Sequence, residues 1–118
     1  MIEPLNSRDV PNYFVAHQRD AVELIKLVDR SNVKLQLDLY HAQIMDGDLS
    51  TLIREVAAYT GHIQIASVPE RHEPSEGDLN YPHLFSVLDD SGYQGWIGCE
   101  YTPKNTTEAG LEWVKPYL

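Results

Sequence analysis

Cysteine occurs once in the 118 residues, at position 99, which excludes an internal disulfide and fits a reducing, cytoplasm-like compartment. Basic residues are scarce as well: nine Lys and Arg stand against eighteen Asp and Glu, for a formal charge of −9 and a pI near 4.8. Nucleic acid is therefore not an expected partner, because a phosphate-binding surface needs clustered cations and these nine are scattered. No apolar run approaches the ~20 residues of a membrane span and no segment resembles a signal peptide, so no membrane partner is expected. Cys or His pairs at zinc-site spacing, a glycine-rich phosphate loop and a local Ser-His-Asp arrangement are also missing. What is present is an ordinary globular composition, 42% hydrophobic and 23% charged, in a chain long enough for one core and not for two.

Within that composition four short apolar runs each end in a residue able to bind a hard cation. They are MIEP at Glu3, VKLQLD at Asp38, HIQIA at Gln64 and WIGCEY at Glu100. Alternation and branched side chains predict strands over residues 1–5, 33–39, 62–67 and 94–101. Helical spacing follows each one. Phe14, Val15, Ala21, Leu24, Ile25, Leu27 and Val28 mark a long helix, irregular at its start and broken at Ser31-Asn32. Asp48-Leu49-Ser50 opens a second, with Leu52, Ile53, Val56 and Ala57 on its buried face and Gly61 as its stop. A polar loop over 68–80 precedes a third, carrying Leu84, Phe85, Val87 and Leu88 and ending near Gly92; a fourth spans about 107–117, capped by Thr106 or Thr107, with Leu111 and Val114 facing inward.

Repeated βα units build parallel sheets whose ligand sites lie at the carboxyl ends of the strands. The expected fold class is α/β: four βα units, parallel strands with helices outside, equivalent to the second half of a (β/α)8 TIM barrel and forming a single domain over 1–118. A closed barrel typically needs ~250 residues, so four units leave two unpaired edges. Completion is expected from a missing N-terminal half-barrel, since the chain opens inside a strand, or from a second copy in a homo-oligomer; an open four-stranded sheet is the alternative.

Glu3, Asp38, Gln64 and Glu100 form an all-oxygen donor set, which suits Mg²⁺ or Mn²⁺ better than zinc or copper. Any one of the acidic residues could simply solvate a loop. Jointly that reading weakens, because each polar residue interrupts or ends an apolar strand, where an unpaired carboxylate suffers a large desolvation penalty.

The segments IEPLN, LQLDLYHAQIMDGDL, GHIQIASVPERHEPSEGDLNYPHLF and GYQGWIGCEYTP resemble the C-terminal half of the hydroxypyruvate isomerases, in the xylose isomerase-like TIM-barrel superfamily. The resemblance runs from end to end, and the first four βα units of that family have no counterpart in it. It implies that Glu3, Asp38, Gln64 and Glu100 are metal ligands and that Glu3 and Glu100 are the proton donor/acceptor pair. Many sugar isomerases and epimerases of the superfamily carry His where Gln64 stands, so the sequence follows the hydroxypyruvate isomerase branch there. The implied reaction interconverts hydroxypyruvate, a small hydroxy-keto acid, with 2-hydroxy-3-oxopropanoate by moving a proton between adjacent carbons, with an enediolate stabilised by a divalent cation. No redox cofactor is implied.

Two further residues are substrate candidates. His41, three positions beyond Asp38, reaches a substrate oxygen or a metal ligand's outer side. Arg71 can hold the substrate carboxylate in a bidentate fork, or else pair with Glu70 or Glu73; His72 is a weaker candidate. Structural roles are expected elsewhere: His17 and His83 as hydrogen-bonded histidines, His62 packed at the start of its strand, Trp96 and Trp113 between helix and strand, Cys99 a buried spectator facing away from Glu100, and Asp46-Gly47-Asp48 a turn with a helix cap. A noncatalytic half-barrel, an isomerase of another ketose, and a nuclease like the superfamily's endonuclease branch are the competing functions. The acidic charge and the shortage of His ligands count against the nuclease.

Overall fold

A computed structural model describes residues 1–118. Three parallel strands, β1 (Leu35–Asp38), β2 (Thr60–Ile65) and β3 (Ile97–Cys99), pair in the order β1-β2-β3. Helices connect them: α1 (Gln18–Val28) precedes β1, α2 (Leu39–Met45) and α3 (Leu49–Val56) lie between β1 and β2, and α4 (Tyr81–Asp90) lies between β2 and β3. The first expected strand is reduced to one parallel bridge, Ile2 with Leu35, held by Ile2 N–H to Lys34 O and Gln36 N–H to Ile2 O, both at 2.8 Å. Pro4 has no N–H to extend the ladder. Even so, the bridge sets the register that aims Glu3 along with Gln36 and Asp38.

Alternation sorts the strands into two faces. Leu35, Leu37, Ile63 and Ile65 are buried against the helices, in a core with Ala21, Val22, Ile25, Leu52, Ile53, Val56, Leu84, Val87 and Leu88. Each of the Leu, Ile and Val side chains contributes about 1.5–3 kcal/mol on burial. The opposite face carries Gln36, Asp38, His62, Gln64 and Gly98, with Asp38 beside Gln64 and Gln64 beside Gly98 across the ladder. That polar face is where a barrel has its interior.

Several expectations are corrected. Helix α1 begins at Gln18, not near Phe14, because residues 6–14 form turns that leave Phe14 exposed. Its start is buttressed from a distance: Asp46 accepts from Gln18 N–H and pairs with His17, so the Asp46-Gly47 turn stabilises α1. Strand β1 stops at Asp38, and Leu39 opens an unexpected helix, α2, whose first turn Asp38 caps by accepting from Tyr40 N–H at 2.8 Å. Asp48 occupies the cap position of α3 in a left-handed conformation without bonding through its side chain, and Gly61 lies inside β2 because a short 3₁₀ turn, Ala57–Tyr59, has already ended the helix. Likewise His62 sits on the inner face within β2; its Nε2 would lie 2.8 Å from a Cβ at Gly98.

The C-terminal segment departs furthest. Residues Ala109–Tyr117 form 3₁₀ turns, started by Thr106 Oγ1 accepting from Ala109 N–H. Trp113 packs on the core as expected, whereas Leu111 is 43% exposed. Because β3 is an edge strand and these turns cover little of it, Cys99 is exposed and Trp96 is 85% exposed, the reverse of the burial expected for both. Cys99 does face the helix side, opposite Glu100, beside an apolar groove lined by Ile65, Phe85, Trp113 and Tyr117.

Candidate active site

Glu3, Asp38 and His41 meet where the first bridge, β1 and α2 converge. One donor atom of each lies within 4.8 Å of the others. Asp38 is fully buried and divides its oxygens between two tasks: Oδ1 caps α2, while Oδ2 faces Arg71 Nη2 at 3.2 Å and His41 Nε2 at 3.7 Å. Arg71 reaches on to Glu100 Oε2 at 2.5 Å, so one guanidinium joins the ends of β1 and β3. It does not pair with Glu70 or Glu73 as the local sequence allowed; its backbone is left-handed (φ 58°), and the guanidinium lies over the Tyr40 ring, 4.7 Å from the centroid. Gln64 is tied to its neighbour on β1, with its amide oxygen accepting from Gln36 Nε2 at 2.5 Å. Glu3, Asp38, His41, Arg71 and Glu100 are thus gathered directly, and Gln64 joins through Gln36, whose side chain also hydrogen-bonds Glu3. His72 stands apart, bonded to the Thr102 carbonyl.

Burial is the main influence on the charges here. It drives the Asp38 carboxyl up to about 7, against the Tyr40 N–H and Arg71, with Glu100 and Glu3 pushing the same way as burial. Glu3 is raised too, first by burial and then by Glu100, while the Gln36 hydrogen bond opposes. His41 is lowered to about 4 by burial and by Arg71, which keeps the imidazole neutral. When ionised, the carboxylates of Glu3, Asp38 and Glu100 face a single guanidinium, leaving two negative charges uncompensated. A hard divalent cation fits that deficit and that oxygen-rich donor set.

A pH dependence follows. Since the Asp38 carboxyl has its ordinary value near 3.8 when unfolded and about 7 when folded, the folded chain binds the extra proton, and this group's contribution to stability is lost as pH rises from about 4 towards 7. His41, depressed to about 4, acts in the other direction as pH falls. The cation increment separates the two, because a cation bound at Asp38 would take the place of its proton and leave His41 neutral. Mg²⁺ or Mn²⁺ is expected to raise the melting temperature more at pH 8 than at pH 5, relative to chelator. Equal increments at both pH values would contradict this assignment.

The model of the xylose isomerase-like TIM-barrel family matches residues 1–117. The chain belongs to that family. Among curated relatives of this half-barrel, the 2-oxo-tetronate isomerase of Cupriavidus necator is 55% identical over 118 residues, covering all of the chain and 45% of the relative. The hydroxypyruvate isomerase of Escherichia coli is 47% identical over 117 residues, covering 99% of the chain and 45% of the relative. The xylose isomerase-like chain thus spans about 45% of the length of these relatives. A crystal structure from Brucella melitensis described as an AP endonuclease of family 2 superposes with a TM-score of 0.95 at 63% identity, over 98% of this chain and 45% of that one. No helix is long and apolar enough to cross a membrane.

Sequence reasoning missed Asn6, Gln36 and Tyr40. Their partners are remote: Asn6 contacts His41 across 35 positions and Gln36 contacts Gln64 across 28. Only for Gln36 was there a signal, its place two residues before Asp38 on the polar side of β1.

Proposed function

We propose that this half-barrel supplies the proton-transfer and metal-binding half of an isomerase acting on a small 2-oxo-hydroxy acid, of the hydroxypyruvate or 2-oxo-tetronate type. The supporting observation is the meeting of Glu3, Asp38 and His41 within 4.8 Å, with Arg71 bridging Asp38 to Glu100, in a chain whose curated relatives carry those names. Glu3 and Asp38, with Glu100 and the Gln64 amide oxygen, are the residues to hold Mg²⁺ or Mn²⁺. Such a cation, when bound, supplies positive charge that stabilises an oxyanion developing on the substrate.

The remaining chemistry belongs to side chains. Glu3 and Glu100 flank the site as carboxylates, one taking the proton from the hydroxyl-bearing carbon while the other serves the neighbouring carbon. Glu3, held above the ordinary carboxylate range by burial, can return a proton as well as accept one. Arg71, released from Glu100 when substrate enters, offers its fork to the substrate carboxylate. His41 presents a neutral ring to a substrate oxygen.

The endonuclease reading suggested by the name of the Brucella structure is weaker: a chain of charge −9 repels a phosphate backbone, and His41 is the sole histidine of the cluster. Incubating the protein with Mg²⁺ or Mn²⁺ and hydroxypyruvate or a 2-oxo-tetronate in deuterated water distinguishes these functions. NMR is expected to show isomerisation with deuterium incorporated at the exchanging carbon. Cleavage of abasic DNA without isomerisation would overturn the proposal.

A further inference from the structure

Asn6 lies immediately beyond the first bridge and is fully buried. Its backbone N–H points at His41 Nδ1 from 3.0 Å, and its side-chain Nδ2 approaches the same atom at 2.7 Å. The orientation of that amide is settled by its other contacts, because Oδ1 accepts from Asp9 N–H at 2.8 Å while Nδ2 donates to Asp9 Oδ2 at 3.0 Å. Asp9 is itself fixed by the Tyr40 hydroxyl at 2.5 Å, which also receives Arg8 Nη2 at 2.9 Å. Two donors therefore converge on Nδ1, and a ring nitrogen facing two N–H groups holds its lone pair there and not a proton.

From this convergence we infer that Asn6 is a positioning residue that locks His41 as the Nε2–H tautomer, making it a hydrogen-bond donor to substrate oxygen and not a metal ligand. A neutral imidazole has one lone pair; with Nδ1 occupied by Asn6, Nε2 carries the proton and cannot coordinate a cation. That N–H points into the site, 3.7 Å from Asp38 Oδ2. Tyr40 closes the ring edge-on, with centroids 5.2 Å apart, and turning the imidazole over would give up both Asn6 contacts at Nδ1. Geometrically His41 belongs to the cluster of three metal-capable side chains; by its protonation it does not. The cation is left to oxygen donors, and the ring is free to donate to an oxygen of the substrate as negative charge develops on it.

The tautomer stands independently of the reaction, whereas the donor role rests on the isomerase reading, and the two are tested separately. The protein labelled with ¹⁵N-histidine has five ring systems, and His41 is identified by the signal lost in His41→Gln. Long-range proton–nitrogen spectra are expected to show an unprotonated Nδ1 and a protonated Nε2, before and after addition of Mg²⁺ or Mn²⁺. A protonated Nδ1, or a metal-induced displacement of the Nε2 signal with loss of its proton, overturns the inference whatever the activity. Asn6→Asp sets a carboxylate acceptor against the backbone N–H that still faces Nδ1, and is expected to draw a proton onto that nitrogen and lower kcat by at least ~10-fold, whereas no competing acceptor is introduced by alanine. Asn6→Ala keeps the backbone N–H and is expected to keep the wild-type tautomer. Asn6→Asp with a wild-type nitrogen pattern likewise overturns the inference, while the expected pattern without isomerase activity leaves the tautomer standing and removes the reaction.

Discussion

Under the proposed mechanism, Glu3→Gln and Glu100→Gln are each expected to lower turnover by at least ~10²-fold, the scale on which general acid-base groups act. Both changes preserve shape and remove only the capacity to carry a proton and a negative charge. For Glu3 the loss is compounded by its setting, since burial and the nearby Glu100 hold its carboxyl above the ordinary range and ready to work in both directions. Glu100 is the outermost member, with its side chain 52% exposed and bonded to Arg71, and is the carboxylate best placed to meet an arriving substrate. Steady-state rates and deuterium wash-in separate the two residues: a variant that still exchanges the substrate proton but does not form product retains the first transfer and lacks the second. Near-normal turnover in either variant removes that residue from the mechanism. Unchanged melting curves are needed alongside, to show that the change is chemical.

Arg71→Lys is expected to give the second large effect, with kcat/KM for the proposed carboxylate substrate falling by ~10²-fold even though the charge is retained. The guanidinium contacts Asp38 Oδ2 and Glu100 Oε2 through one nitrogen while its plane rests on Tyr40, and a lysine ammonium reproduces neither the plane nor the fork. The change is expected mainly in KM, as for a group that grips the substrate equally in ground and transition states. A neutral hydroxyketone such as dihydroxyacetone supplies the control. With no carboxylate to hold, it is expected to lose far less on the same substitution. If the acid and the neutral ketone suffer alike, Arg71 organises Asp38 and Glu100 and does not bind the carboxyl group.

Strand alternation explains why Glu3, Asp38, Gln64 and Glu100 were legible. A polar residue ending an apolar strand has only two faces to choose from, and the helix side is already filled by Leu35, Leu37, Ile63 and Ile65. Helix α2 was hidden because Asp38 reads equally as a strand end or a cap, and the apolar Leu39 that follows is compatible with both. Exposure of Trp96, Cys99 and Leu111 was illegible for another reason: side-chain type reports what a residue prefers to bury, not whether a covering element exists. Asn6 illustrates the remaining gap. In sequence it is one turn residue among many, and its meaning arises only when the chain returns 35 positions later with a histidine.

Asp38 binds two structural fates together. Its Oδ1 starts α2 and its Oδ2 faces the site, so the helix that delivers His41 begins on the same carboxylate that helps to hold charge. If Asp38 holds the proposed cation, damage at this one position is expected to appear as a fault in alignment as well as a fault in affinity, and raising the metal concentration would repair only the second. A substitution at Asp38 shifts the start of α2 and the place of His41 together, whereas changes at Arg71 or Gln64 leave that helix cap intact.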